Sequence, residues 1–135
     1  MLESVNWIGV AVAAIAAFVL GWLWFGPLFL KPWMRELGKT QEQLAAQGPA
    51  RAPAIAMEFV AWTITATVLA IIIERFGPGV TTGLTVGLLC ATGFVATARL
   101  ADVLFAQTSS KRYWIEAGNR LVSYALMGAV YGFFA

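Results

Sequence analysis

The chain has no histidine, one cysteine and few charges. Nine of its 135 residues are lysine or arginine and seven are aspartate or glutamate, 12% in all. Without histidine there is no His-based catalytic triad, no His-ligated haem and almost no zinc site. Cys90 has no second thiol to pair with, so there is no disulfide framework. Inside an apolar segment it is expected to pack as a small hydrophobe. The formal charge is +2 and the basic residues form no run, which gives no case for nucleic acid as a partner. No nucleophile–base pair or metal-ligand constellation stands out. The chain is therefore read as a non-enzyme without metal or cofactor.

What the chain has is apolar surface: 60% of its residues are hydrophobic. A soluble domain carries about 45–50%. The polar side chains are too few to cover that surface, so lipid is the expected solvent. Four stretches reach the roughly 20 apolar residues that a spanning helix needs. They cover about residues 5–30, 53–73, 80–105 and 113–134. The first lacks the positive start of a signal peptide and is too long for one, so it is read as a retained span. The expected fold is all-α: one domain over residues 1–135, an integral membrane four-helix transmembrane bundle. Within the only long connection, 31–52, Thr40-Gln-Glu-Gln43 has the spacing of a capping box. It predicts one short cytoplasmic surface helix over Gln41–Gln47, ended by Gly48-Pro49.

Basic residues fall on one side of this threading. Lys31, Arg35, Lys39, Arg51, Lys111 and Arg112 lie in the first and third connections, against Arg75 alone in the second. The positive-inside rule then puts those two connections in the cytoplasm and both termini outside. In lipid, helices associate through close contact of small residues. Gly83 with Gly87 and Gly128 with Gly132 have GxxxG spacing, and contact within one bundle is favoured over a dimer seam. Four short helices still leave much apolar surface. Membrane lipids and a second copy of the chain are the expected partners.

Five ionisable residues fall inside the expected spans: Glu58, Arg99, Asp102, Glu116 and Arg120. At about 1.5 Å per residue they come to similar depths, roughly 5–10 Å from the cytoplasmic ends. A lone charge at a helix centre costs roughly 2.5–3.5 kcal/mol, so they are expected to pair. Arg99 and Asp102 are i,i+3, and Glu116 and Arg120 are i,i+4, so each pair shares a helix face. Asn119 lies beside Arg120. Glu58 has no partner on its own helix, which makes it the surplus carboxylate. Two readings follow. In one, these residues bind or transport a small solute or ion. In the other, they only staple the helices of an oligomeric accessory protein. A second feature is the aromatic run Trp22, Trp24 and Phe25, then Gly26-Pro27, with Trp33 beyond. It reads as an interfacial anchor and helix stop, or as a broken helix lining a site.

Several of these residues carry a resemblance. Asn6-Trp7, Gly21, Trp24-Phe25-Gly26-Pro27-Leu28-Phe29, Trp33-Met34, Leu37-Gly38-Lys39-Thr40, Gly93-Phe94-Val95-Ala96, Leu104-Phe105, Ala117-Gly118 and Leu126-Met127-Gly128 run in order along nearly the whole chain. Together they resemble the bacterial membrane family called domain of unknown function 1761. The resemblance implies a small four-span protein of the bacterial inner membrane with no assigned activity. Glu116 and Asn119 depart from that family's pattern, which makes a Glu116–Arg120 pair a local specialisation.

Overall fold

The computed structural model describes residues 1–40, 42–43, 46 and 48–135. Asn6 starts the first helix, α1 (Trp7–Leu23). Its side-chain oxygen accepts hydrogen bonds from the N–H groups of Ile8 and Gly9, at 3.1 and 3.2 Å. Two otherwise orphaned donors are satisfied there. Past Leu23 the helical path widens into a π-type turn over Trp24–Leu28. Pro27 sits inside it and offers no N–H to the ladder. Phe29, at φ −127°, takes the chain off the helical axis, and α2 (Leu30–Leu37) follows. Gly38 closes α2 in the left-handed conformation, at φ +72°. The expected stop at Gly26-Pro27 is thus a break between two helices, and Trp33 lies on the second.

Thr40 and Gln43 exchange both bonds of a capping box, at 2.9 and 3.1 Å. Of the surface helix expected over Gln41–Gln47, residues 41, 44, 45 and 47 lie outside the described residues. A 3-10 turn, Gly48–Arg51, leads into α3 (Ala52–Phe76), which has proline in its first turn. Gly77 and Gly79, at φ +109° and +127°, make the tight turn into the next helical rod. That rod is α4 (Val80–Cys90), a π-type segment Ala91–Ala96, and α5 (Thr97–Leu104). Ser109 caps α6 (Ser110–Phe134) by accepting from the Arg112 N–H at 3.2 Å. There is no strand among the described residues.

Three segments are long and apolar enough to cross a membrane: Trp7–Leu28, Ala52–Phe76 and Val80–Leu104. Within their most apolar windows only 28%, 22% and 17% of residues are buried in the protein. Large side chains such as Ile15, Ile64, Leu89 and Phe94 point outward. A water-soluble chain of this composition would bury them. The exposed hydroxyls of Thr65 and Thr85 donate to carbonyls one turn back, at 3.0 and 2.8 Å, and so need no water. α6 matches α3 in length but carries Glu116, Asn119 and Arg120.

α6 is the packing centre. Its most extensive contact is with α4, and α1 and α3 also lie against it. The seam with α4 is glycine on both sides. A methyl group built on Gly83 would overlap the Gly128 carbonyl, and one on Gly128 would overlap the Gly83 carbonyl. Gly79 N–H donates to the Gly132 carbonyl across the same seam at 3.1 Å. The two GxxxG pairs therefore meet each other within one chain. Elsewhere the interior is built from small residues, Ala13, Ala14, Ala17, Ala66 and Ala70, around Trp62, Met127 and Tyr131.

Candidate functional site

Two hydrogen bonds fix the end of the molecule where the broken helix lies. The Trp24 indole N–H donates to the Ile115 carbonyl of α6 at 2.9 Å. The Tyr113 hydroxyl donates to the Ala96 carbonyl at 2.8 Å. The end of α1, the start of α3, α5 and the start of α6 therefore converge, and their charges meet. The Arg99 guanidinium lies 3.1 Å from Glu116 Oε1, and Arg112 Nε donates to the same oxygen at 3.0 Å. Arg120 reaches across to Glu58 at 3.4 Å, with its guanidinium 4.6 Å from the centroid of the Trp62 ring.

All five expected charges gather at this end, but the partners differ from those the spacing suggests. Arg99 leaves Asp102 for Glu116, whose side chain is only 15% exposed. The more buried carboxylate has more to gain from a counter-charge. Asp102 is exposed and makes no ion pair among the described residues. Glu116 does not take Arg120, and Glu58 is not the surplus acid. Arg112 was the missing partner. The helix begins at Ser110, not near Tyr113, so Arg112 lies in its first turn at i,i+4 from Glu116. Ser109, a good cap residue three positions before Arg112, was the signal for that earlier start.

Three of the five expected charges, Glu58, Glu116 and Arg120, help to wall a cavity of about 650 Å³. Its polar lining is Arg51, Glu58, Glu116, Asn119 and Arg120. Its aromatic lining is Phe18, Trp22, Phe25, Trp33 and Trp62. The charged cluster and the broken-helix motif are therefore one site. Trp22, Phe25, Gly26 and Trp33 line it directly, with the rings of Phe25 and Trp33 tilted at 52° and 4.7 Å apart. Trp24 and Pro27 are not in its wall; Trp24 ties α1 to α6 beside it. On the other side of Glu116, a cleft of about 20 Å³ holds Arg99, Asp102 and Arg112.

Among the described residues, buried polar atoms without a hydrogen-bond partner include Trp33 Nε1 and Asn119 Nδ2, both in residues of this wall, and Ser123 Oγ further along α6. Asn119 is 2% exposed. A buried donor without an acceptor costs about 1–3 kcal/mol, so such groups are rare without a reason. Gly21 and Gly26 also line the cavity, and a methyl group on either meets open space. No group of three or more metal-ligating acids or cysteines occurs among the described residues.

The opposite end carries a network that the sequence reading missed. The Tyr131 hydroxyl, in a residue 1% exposed, donates to Glu74 Oε1 at 2.6 Å. It accepts from the Asn6 N–H at 2.9 Å, and Asn6 Nδ2 donates to the Phe134 carbonyl at 3.0 Å. This ties α1, α3 and α6. Glu74 escaped notice because α3 runs to Phe76, beyond the expected end at Ile73.

The sequence model of one protein family, described as a protein of unknown function (DUF1761), matches residues 8–132. No curated protein and no solved structure matches the chain.

Proposed function

We propose, for a chain that belongs to the DUF1761 family, that it is a four-span membrane protein which binds a small organic solute in the cavity at its charged end. In this reading α6 is the fourth span. Its charges lower its apolarity, but they face partners on α3 and α5, which offsets the cost of placing them in lipid. The basic connections then face the cytoplasm, and both termini lie outside the inner membrane of a bacterium. Translocation of the bound solute is the extension of this reading.

The observation that carries it is the cavity wall. A cavity of about 650 Å³ is far larger than a bare ion needs, and it mixes aromatic rings with a few convergent polar groups. Small-molecule sites have this make-up and span about 300–1,000 Å³. A second reading is a non-catalytic accessory protein in which the charges only fasten helices. It draws on the double hold of Arg99 and Arg112 on Glu116. It leaves the volume and the unpartnered Asn119 unused.

Gly21→Leu separates the two. It adds an apolar side chain to the cavity wall at a position where the first carbon meets nothing within 4 Å. The protein, held in lipid nanodiscs, is titrated with octanoate, octanol and octylamine while its tryptophan emission is followed. The solute reading predicts a saturable change with at least one probe, weakened about tenfold or more by Gly21→Leu. No saturable change with any probe, or equal affinity in the filled variant, contradicts it.

A further inference from the structure

Taken with the adjoining cleft, the polar wall of the cavity carries more positive charge than negative. The cavity and the adjoining cleft are lined by four guanidinium groups, Arg51, Arg99, Arg112 and Arg120, and by three carboxylates, Glu58, Asp102 and Glu116. Two of those carboxylates are already neutralised, Glu116 by two arginines and Glu58 by one. Arg51 is exposed at the start of α3 and makes no ion pair among the described residues. Over the cavity and the cleft together the balance is one positive charge in excess, and Arg51 is the arginine without an ion pair.

The unpartnered groups point the same way. The indole nitrogen of Trp33 is buried without an acceptor, and an indole N–H can only donate. The Asn119 amide nitrogen is a second donor in the same state. A cation entering here would meet carboxylates that already hold guanidinium groups through one oxygen each. An anion would meet Arg51 and the outer N–H groups of Arg120, while the two idle donors are buried atoms out of its direct reach. The rest of the wall is aromatic and offers an apolar body its natural surface.

Resting on the solute-binding reading, we propose that the ligand is a monoanionic amphiphile: a carboxylate or phosphodiester head near Arg51 and Arg120, on an apolar body against Phe18, Trp22, Phe25 and Trp62. A single negative charge balances the excess. A phosphate monoester carries about −1.5 to −2 at neutral pH and would overshoot it.

Octanoate, octanol and octylamine share one chain and differ in the charge of the head. In nanodiscs of phosphatidylcholine, octanoate binds at least about tenfold more tightly than octylamine. Arg51→Gln weakens octanoate about tenfold more than octanol. Arg51 has no ion pair to lose, and the octanol titration of the same variant reports that the cavity is still formed. Phosphatidylglycerol in the discs decides the source of the head. Competition with octanoate assigns the site to a lipid headgroup, and no competition assigns it to a free solute. Octylamine binding as tightly as octanoate overturns the inference, as does an Arg51→Gln variant with unchanged octanoate affinity. If all three probes bind alike and Gly21→Leu abolishes all three, solute binding stands and the preference for an anion falls. If none binds, both fall.

Discussion

A hydroxyl inside an apolar interior must both give and receive, and Tyr131 does so with partners on two other helices. It donates to Glu74 on α3 and accepts from the Asn6 N–H ahead of α1. Tyr131→Phe keeps the ring and orphans both partners at once. It should cost about 1–3 kcal/mol, measured as a lower midpoint in SDS titration from mixed micelles. An unchanged midpoint would show that lipid or water replaces the bonds. At this scale the sequence was informative about which residues matter and poor at pairing them. Spacing along one helix suggested Arg99 with Asp102 and Glu116 with Arg120. The contacts that formed cross between helices, except for Arg112 with Glu116. Same-helix neighbours are visible in a sequence, whereas a partner on another helix depends on rotation about both axes. Even Arg112 was hidden, because an error of three residues in the helix start moved it into a loop.

Helix ends and helix faces were easier to read. Gly26-Pro27 breaks the first span as its chemistry requires, since proline removes a ladder donor. The outcome was richer than a stop, because the chain resumes as α2 and folds Trp33 back onto Phe25. The aromatic run left open an interfacial anchor or a broken helix lining a site, and nothing in its spacing showed that Trp22, Phe25 and Trp33 share a cavity with the charges. The π-type segment Ala91–Ala96 also left no mark on the hydropathy pattern. The glycine spacing on α4 and α6 was legible, and backbone contact explains it: without side chains the two helices approach until carbonyls touch Cα atoms. Gly83→Ala should therefore destabilise the protein by about 1–3 kcal/mol. Gly93→Ala, where a methyl meets open space, should be neutral or slightly stabilising. Equal effects of the two in the same SDS titration would argue that helix propensity, not contact, sets the cost.

At the scale of the whole molecule, the same apolar excess that defines the class also settles which way the side chains face. Ile64, Leu89 and Phe94 look outward, while alanines pack the interior around Trp62, Ile73, Met127 and Tyr131. That inversion suits a solvent of hydrocarbon, where close packing and not burial of apolar area holds helices together. Connectivity then does the rest. Antiparallel neighbours bring the end of α1, the start of α3, α5 and the start of α6 to one end, so charges far apart in sequence share a cavity. The reading of the site stands on that threading. Its most direct test is sidedness. Single cysteines are placed at Lys39, Lys111 and Arg75, all exposed, in a Cys90→Ala background, and sealed right-side-out vesicles are treated with an impermeant maleimide. Arg75→Cys is expected to react at once, and Lys39→Cys and Lys111→Cys only after permeabilisation. Labelling of Lys39→Cys and Lys111→Cys from opposite faces of the membrane would contradict it.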